Sequence, residues 1–151
     1  LVSWVDRPLL LRGTDLPRPL ALPTEDWAKS KRWFLLDSGV SRHSAPLVAV
    51  FKQKCADEQF QKKISELEVL VGECIEDYQN LDEVHMGLHM EELSRLQLEA
   101  FSEMIPERLR ALWVEALDRR AFALKLCGAG GGGFFIGHRL RGEAPAGSLG
   151  F

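Results

Sequence analysis

The sequence predicts an α+β fold: a two-layer sandwich in which helices cover one face of an antiparallel sheet. Two short apolar segments near the start, Pro8–Arg12 and Trp33–Asp37, have the composition of strands. A long helical block follows, and alternating segments on either side of a glycine run come near the end. With 151 residues, of which 46% are hydrophobic, the chain can form one sizeable core but not two ordinary domains.

Charge and composition exclude several classes of partner. The net charge is -3 and the basic residues are scattered, so we expect neither nucleic acid nor an anionic membrane as a partner. The longest apolar run is far shorter than the roughly 20 residues of a membrane span, and no signal-peptide pattern opens the chain. We therefore expect a soluble, cytoplasmic protein. Its widely spaced Cys55, Cys74 and Cys127 fit neither a disulfide framework nor a zinc site, so we expect reduced thiols.

The central block predicts three helices. Apolar residues recur every three or four positions in the first, from Glu58 to Tyr78, and form the stripe Phe60, Ile64, Leu67, Val71, Cys74 and Tyr78. Asp82 is the expected N-cap of a second helix that runs to Met104. Ile105-Pro106 ends it and begins a third, with the inward set Leu109, Leu112, Trp113, Ala116 and Leu117. The heptad-like spacing is short, which favours an intramolecular bundle over a coiled-coil dimer.

The strands lie on either side of this block. Trp33–Asp37 leads into a polar loop, residues 38–44, and Pro46 then fits the first turn of a short helix. Phe122–Cys127 and Phe134–Leu140 alternate in hydrophobicity and flank the glycine run as two strands. The proline-rich stretch before Trp33 is expected to be a connector.

The glycine run, Gly128-Ala-Gly-Gly-Gly-Gly133, is the strongest functional signal. Glycine tolerates positive φ but weakens an ordered element by about 0.5–1 kcal/mol, so a run of this length suggests a function. The run matches the dinucleotide fingerprint G-x-G-x-x-G, but Phe134-Phe135 follows where that fingerprint needs a helix and a Walker loop needs Lys-Ser or Lys-Thr. Two interpretations stay open: a hairpin connection without a ligand, and a nest of backbone N–H groups beside a phosphate, which we favour.

Two segments resemble one family. Lys125-Leu-Cys-Gly-Ala-Gly-Gly-Gly-Gly133 resembles the third conserved motif of the GHMP small-molecule kinases, K-L-T-G-A-G-G-G-G-C, with Cys127 in place of Thr and Phe134 in place of Cys. The segment Leu36–Val48 resembles the D-T-x-x-x-R-x-T stretch of mevalonate kinases, and Leu1–Arg12 resembles the stretch that follows their H-G-x-x-S-G-x-D motif. The pair of motifs is more specific than either motif alone.

The resemblance implies the C-terminal half of such a kinase, with a ferredoxin-like sheet. Residues 1–31 would be a remnant of the upstream domain and a connector, residues 32–141 the GHMP kinase C-terminal domain, and residues 142–151 a flexible tail. In this family the N-terminal domain carries the phosphate loop that binds most of ATP and Mg²⁺, and also the catalytic aspartate. The resemblance therefore implies no catalytic residue in this chain, which would need that N-terminal domain as its partner and be inactive alone.

The full-length enzyme would be an ATP-dependent phosphotransferase of isoprenoid biosynthesis. It would phosphorylate a hydroxyl of a small acid, with mevalonate as the expected acceptor. A sugar or phosphomevalonate is an alternative acceptor. A different class of function is a standalone, non-catalytic ferredoxin-like domain that binds a ligand or a partner.

The family pattern assigns two groups of site residues. Arg42 and Ser44 match the Arg and Thr of the substrate segment, where a guanidinium holds a carboxylate through two parallel bonds. The alternative is a surface Arg42 with Ser44 as an N-cap. The expected neighbours of the phosphate loop are Gly128, Ala129, Gly130, Gly131, Gly132 and Gly133.

Several other polar residues have weaker signals. Asp37 is expected to order its turn, and the role of Lys125 stays open. His85 and His89 have the spacing of two metal ligands, but no H-E-x-x-H glutamate and no third ligand accompany them. We therefore expect a solvated or packed histidine pair and no metal site.

Overall fold

The computed structural model of this chain describes residues 9–10, 18–19, 24–41 and 44–150. A run of helices is followed by a run of strands, and the main sheet is antiparallel, which confirms the predicted α+β class. The elements are β1 Leu9–Leu10, β2 Arg18–Pro19, α1 Thr24–Ser30, β3 Trp33–Asp37, α2 Ser44–Lys54, α3 Glu58–Asn80, α4 Glu83–Ala100, a 3₁₀ turn Ser102–Met104, α5 Glu107–Asp118, β4 Phe122–Leu126, β5 Phe134–Arg139 and β6 Leu149–Gly150.

A four-stranded antiparallel sheet forms the centre, with the strand order β4-β5-β3-β6. The central strand β5 pairs with both neighbours, and Phe135 lies opposite Leu36 of β3 and Leu126 of β4. Side chains alternate across a pleated strand, so these three residues share one face. The β1 and β2 strands pair separately in a two-stranded sheet.

Helix α5 packs on that face. The Trp113 ring meets the Phe135 ring edge-on, with centroids 5.8 Å apart at an interplanar angle of 87°. Trp113 and Phe34 are fully buried, and Phe135 is 1% exposed. Burial of such aromatic rings contributes a large share of a core's stability.

Helix α4 lies along the outer edge of β4 and closes it. The Ser94 hydroxyl oxygen accepts the Leu124 N–H at 3.0 Å, and Gln97 Oε1 accepts the Leu126 N–H at 2.9 Å. An edge strand presents unpaired backbone groups that are costly to bury. Two polar side chains of α4 therefore complete the hydrogen bonds of this edge.

The helices are not confined to one face, which differs from the prediction. Tyr78 at the end of α3 stacks on Trp27 of α1 with centroids 5.0 Å apart, and it contacts Trp33 of β3 at 6.1 Å. Trp33 is adjacent to Phe34 in β3, so the two side chains point to opposite faces. The sequence predicted no helix before β3, and α1 supplies the partner that brings Tyr78 to this second face.

The helix boundaries agree with the sequence signals at the N-termini. Asp82 caps α4 as predicted, because its Oδ1 accepts the His85 N–H at 3.0 Å. The helix ends at Ala100 rather than Met104, since the chain tightens into the 3₁₀ turn. In α3 the predicted stripe residues Phe60 and Leu67 are buried, but near its middle Leu70 is buried in place of the predicted Val71, which is 38% exposed.

The end of the chain also differs from the expected flexible tail over 142–151. Leu149 and Gly150 form β6, which pairs with Leu35 and Phe34. None of the described helices is both long enough and apolar enough to cross a membrane.

His138 on β5 is fully buried against the Trp33 ring, and its two ring nitrogens have no hydrogen-bond partner in the described part of the chain. Burial, helped by the Arg32 charge, lowers the pKa of His138 from 6.5 to about 4. In the unfolded chain the imidazole keeps its usual pKa and binds a proton first as the pH falls. The difference in pKa between the two states therefore contributes to the free energy of unfolding in full above pH 6.5. This contribution is lost as the pH falls to about 4.

We expect this acid sensitivity to depend on His138. At about 1.4 kcal/mol per pKa unit, the loss reaches about 3 kcal/mol near the folded-state pKa. Urea unfolding measured across this pH range should show a shallower decline for His138→Leu than for the unchanged protein. His85→Gln is the control. The bond to Asp82 raises the pKa of the exposed His85, so replacing this residue should not make the decline at low pH shallower. Equal slopes for His138→Leu and the unchanged protein would contradict the assignment.

Candidate functional site: the glycine-loop junction

The β4–β5 loop adopts a backbone that favours glycine almost throughout. The φ angles of Gly128, Gly130, Gly131, Gly132 and Gly133 are 69°, 75°, 75°, 145° and 71°. Positive φ places the Cβ of an L residue against its own backbone, so each of these positions selects glycine. The backbone conformation of the loop therefore explains why the run consists of glycines, a question that the sequence alone left open.

One side of this loop is bonded to the segment that follows β3. The Gly133 N–H donates to the Val40 carbonyl at 2.9 Å, and the Ser38 N–H donates to the Gly133 carbonyl at 2.8 Å. A Cβ added to Gly132 would lie 2.4 Å from the Val40 carbonyl oxygen. The glycine run and the segment that follows β3 are thus joined, backbone to backbone, at one end of the sheet. We call this contact the glycine-loop junction, formed by residues 38–41 and 128–133.

The other side of the loop is bonded to the turn between α4 and α5. The Gly131 N–H donates to the Met104 carbonyl at 2.6 Å. A Cβ on Gly130 would lie 2.6 Å from the same oxygen. The loop is therefore held from two sides by segments that are distant from each other in sequence.

Hydrogen bonding and burial divide the six loop residues into three pairs. The amides of Gly131 and Gly133 are occupied within the fold. Gly130 and Gly132 are buried, whereas Gly128 is exposed and Ala129 half-buried. Within the described ranges, no acceptor is found for the Gly128 and Ala129 amides. The part of the loop that is accessible to an anion is therefore its first two residues, fewer than the six that the sequence suggested.

A pocket of about 370 Å³ opens beside these two residues. Its polar lining comes from Lys125 and Gln97, and the Lys125 ammonium donates to the Leu126 carbonyl at 3.2 Å. No carboxylate pairs with this ammonium among the described residues. The apolar wall consists of Leu47, Val48, Phe51, Phe101, Met104 and Leu126. An apolar cavity with one cation and two backbone amides that have no acceptor among the described residues suits a small anion with a hydrocarbon body.

The predicted substrate residues are only partly described. Ser44 is the first helical residue of α2, whereas the N-cap that its alternative role describes would precede the helix, and Arg42 lies outside the described residues. Asp37 orders its turn as expected, because its Oδ1 accepts the Gly39 N–H at 2.8 Å.

Sequence reasoning missed Arg108. Its guanidinium lies against the turn at Gly39, where an added Cβ would be 2.2 Å from Nη2. Arg108 belongs to the first turn of α5, and no ion pair involves it within the described residues. The sequence offered no signal for this contact, since Arg108 is one of several arginines on a helix and only the fold brings it beside β3.

The two histidines of α4, His85 and His89, each bond to a carboxylate. His85 Nδ1 is 2.7 Å from Asp82 Oδ2, and His89 Nδ1 is 2.7 Å from Asp77 Oδ2. Across the described ranges, no group of three or more His, Cys, Asp or Glu side chains is arranged to hold a metal ion.

No protein-family model matches the chain. No curated protein matches it either.

Proposed function

We propose that this chain is the C-terminal part of an ATP-dependent small-molecule kinase similar to mevalonate kinases of the GHMP superfamily. The observation that carries the proposal is the glycine-loop junction. Two motifs far apart in sequence, which resemble two motifs of one family, are joined by the Gly133–Val40 and Ser38–Gly133 hydrogen bonds. A loop that served only as a hairpin connection would not need a second, separate motif against it.

The sheet supports the proposed domain. Read from the other edge, its strand order is β6-β3-β5-β4, which numbers the strands 4-1-3-2 in chain order from β3. A ferredoxin-like domain, β-α-β-β-α-β, would have this order. It would also have a helix before the last strand, and here residues 140–148 form turns and bends instead. The proposed domain is thus a shortened variant of that arrangement.

The chemistry of the junction suits phosphoryl transfer. Such a reaction needs positioned groups and neutralised charge more than covalent catalysis. The backbone amides of Gly128 and Ala129 and the Lys125 ammonium would face the phosphates of ATP, which the preceding domain would bind together with Mg²⁺. The apolar wall of the adjoining pocket would exclude water from this side of the cleft.

A non-catalytic ligand-binding domain is the second candidate. The mostly apolar pocket of about 370 Å³ favours it, because such a pocket binds a ligand without any chemistry. Turnover separates the two candidates. The full-length protein should release ADP from ATP with Mg²⁺ when it is offered mevalonate, and a panel with phosphomevalonate and sugars would identify the acceptor. Binding without turnover of any acceptor would favour the second candidate.

Gly128→Ala tests the role of the exposed loop amides. The added methyl group is strained at a φ of 69° and lies beside the proposed phosphate position. We expect turnover to fall about tenfold or more, as when one donor to a reacting oxygen is displaced. Gly147→Ala is a matched control, since its φ is 84° and nothing lies within 4 Å of the new methyl group. Equal turnover in the two variants, measured by ADP release, would refute the role of the loop.

Arg42→Lys tests the substrate segment. A lysine keeps the charge but loses the two parallel bonds to a carboxylate, so we expect KM for the acid acceptor to rise about tenfold while KM for ATP changes little. Arg119→Lys, on the exposed end of α5, should leave both constants unchanged. Steady-state kinetics decides the point: an equal rise in both KM values would show that Arg42 does not select the acceptor.

A further inference from the structure

The pocket beside the glycine loop has a more apolar wall than an acceptor such as mevalonate requires. Helix α2 contributes Leu47, which is half-buried, and Val48 and Phe51, which are 43% and 36% exposed. The apolar lining also includes Met104 and Leu126, which are buried. Large apolar side chains that stay accessible around one cavity commonly mark a site for an apolar ligand. This wall therefore suits a hydrocarbon.

Helix α2 is held in place, so the wall exists before a ligand arrives. The Phe51 ring packs edge-on against the Phe60 ring of α3 with centroids 5.7 Å apart, and its centroid lies 6.3 Å from that of Phe101. The Lys54 ammonium donates to the Ala100 carbonyl at 2.9 Å. These contacts attach α2 to the beginning of α3 and to the end of α4. A preformed cavity of this kind is typical of small-molecule sites.

Gln97 gives the pocket a neutral hydrogen-bond donor. The residue is 8% exposed and lines the pocket, and its Oε1 accepts the Leu126 N–H at 2.9 Å. Its amide N–H groups meet no acceptor within the described ranges. Nε2 is not one of the fully buried atoms without a partner, so it reaches the surface that Gln97 gives to the pocket. A carboxamide fixed through its oxygen can donate to a neutral oxygen of a ligand.

The cavity is also large for mevalonate. A dry apolar cavity of about 150 Å³ holds benzene, so a cavity of about 370 Å³ has room for roughly fifteen non-hydrogen atoms. Mevalonate is smaller and has oxygen on half of its carbons, so it would leave much of the apolar wall in contact with water. The charged residue of the lining, Lys125, is already assigned to the phosphates. The rest of the wall therefore favours neutral hydrocarbon.

We propose that this pocket binds the hydrocarbon body of the acceptor, and that the acceptor is a hydroxy acid with a larger aliphatic branch than the methyl group of mevalonate. The Gln97 amide donates to an oxygen beside that branch. The inference rests on the proposed kinase function, which places the phosphates of ATP at Gly128 and Ala129, two residues that also line this pocket.

The transfer itself is that of any such kinase. The acceptor hydroxyl oxygen forms a bond to the γ-phosphorus of ATP, the bond from that phosphorus to the bridging oxygen breaks, and ADP leaves with the electron pair. The hydroxyl proton passes to a base of the preceding domain. The pocket contributes only the position of the acceptor and its selection by size.

Mevalonate homologues in which the methyl group on C3 becomes ethyl or propyl are the probes. Each keeps the carboxylate and the hydroxyl groups, so only the hydrocarbon changes. With ATP and Mg²⁺ and the full-length protein, kcat/KM measured by ADP release should rise about fourfold for each added methylene group that the pocket buries. A kcat/KM that stays level or falls from methyl to propyl would overturn the proposal.

Val48→Trp locates the site of the branch. The indole would fill part of the cavity from a position that is already 43% exposed. The preference for propyl over methyl, about 15-fold in the unchanged protein, should be lost. Val84→Trp is the matched control, since Val84 is 72% exposed on α4 and does not line this pocket, and it should keep the preference. An undiminished preference in Val48→Trp would show that the branch lies elsewhere and overturn the proposal.

Gln97→Glu tests the amide donor. Glutamate keeps an oxygen for the Leu126 N–H but has no N–H to donate. The informative ligand is the methyl ether of the C3 hydroxyl, whose oxygen accepts a hydrogen bond and cannot donate one. By calorimetry it should bind about tenfold more weakly to Gln97→Glu than to the unchanged protein. Equal affinities would overturn the assignment of Gln97 to the acceptor.

Calorimetry of the alkyl homologues without nucleotide separates this inference from the proposed kinase function. Tighter binding from methyl to propyl with no turnover of any acceptor would contradict only the kinase function. Turnover of mevalonate without a preference for the longer branch would contradict only the inference. Neither binding nor turnover would overturn both.

Discussion

Replacing Gly132 with alanine is expected to disrupt the glycine-loop junction and abolish most of the proposed kinase activity. The new methyl group would lie 2.4 Å from the Val40 carbonyl oxygen and 3.1 Å from that of Ser41, and neither backbone atom can rotate away. The φ of 145° adds strain for any residue with a Cβ. We expect the free energy of unfolding to fall by about 3 kcal/mol and turnover to fall about 100-fold, because small displacements of a reacting site have large kinetic effects.

Urea unfolding and ADP release on the full-length protein measure these two effects. Gly147→Ala controls for positive φ without a collision, and we expect it to cost about 1 kcal/mol with little loss of turnover. If Gly132→Ala resembled Gly147→Ala in both measurements, the contact with Val40 would not hold the loop in place.

Ser94→Ala is expected to cause a large loss of stability, although it removes only one hydroxyl group from α4. The Ser94 oxygen accepts the Trp113 indole N–H at 2.7 Å and the Leu124 N–H at 3.0 Å, and Ser94 is fully buried. Alanine leaves two buried N–H donors without a partner. Each unsatisfied donor costs about 1–3 kcal/mol, so the free energy of unfolding should fall by about 4 kcal/mol.

The control is Ser65→Ala on the exposed side of α3, whose hydroxyl donates to the Gln61 carbonyl at 3.2 Å. Removal of this exposed bond should change stability by less than about 0.5 kcal/mol. Chemical denaturation of both variants gives the comparison. A loss below about 1 kcal/mol for Ser94→Ala would mean that other acceptors, or water, replace the hydroxyl at the edge of β4.

Local signals in the sequence predicted most of the fold. The apolar spacing of α3 and the N-cap Asp82 depend on residues close in sequence. They therefore predict helices without knowledge of the tertiary structure. Helix α1 and strand β6 were missed because both are short and depend on distant partners. Trp27 is buried against Tyr78, and Leu149 forms a strand only by pairing with Leu35. The exposed Val71 shows the same limit, since the stripe of an amphipathic helix does not determine which residue at its margin is covered.

The candidate site was predictable as a motif but not as a geometry. The glycine run indicates that another segment of backbone lies close to it, but the sequence does not identify that segment. That partner is Val40 on one side and Met104 on the other, and both contacts depend on the packing of β3 and α5. Arg108 was invisible for the same reason: it lies on a helix with an ordinary pattern of its own, and only the fold brings it to Gly39.

The clamped glycine loop has a consequence for the order in which the molecule folds. Its hydrogen bonds join it to Val40, which follows β3, and to Met104, which follows helices α3 and α4. Contacts between such distant parts of a chain form slowly, since the intervening segments must first be ordered. The loop therefore reaches its final shape only after β3, the helices and the β4–β5 pair have assembled. A partly folded chain would have helices α3 and α4 without the final loop conformation, so a ligand that binds the loop, as proposed, would select molecules that have finished folding.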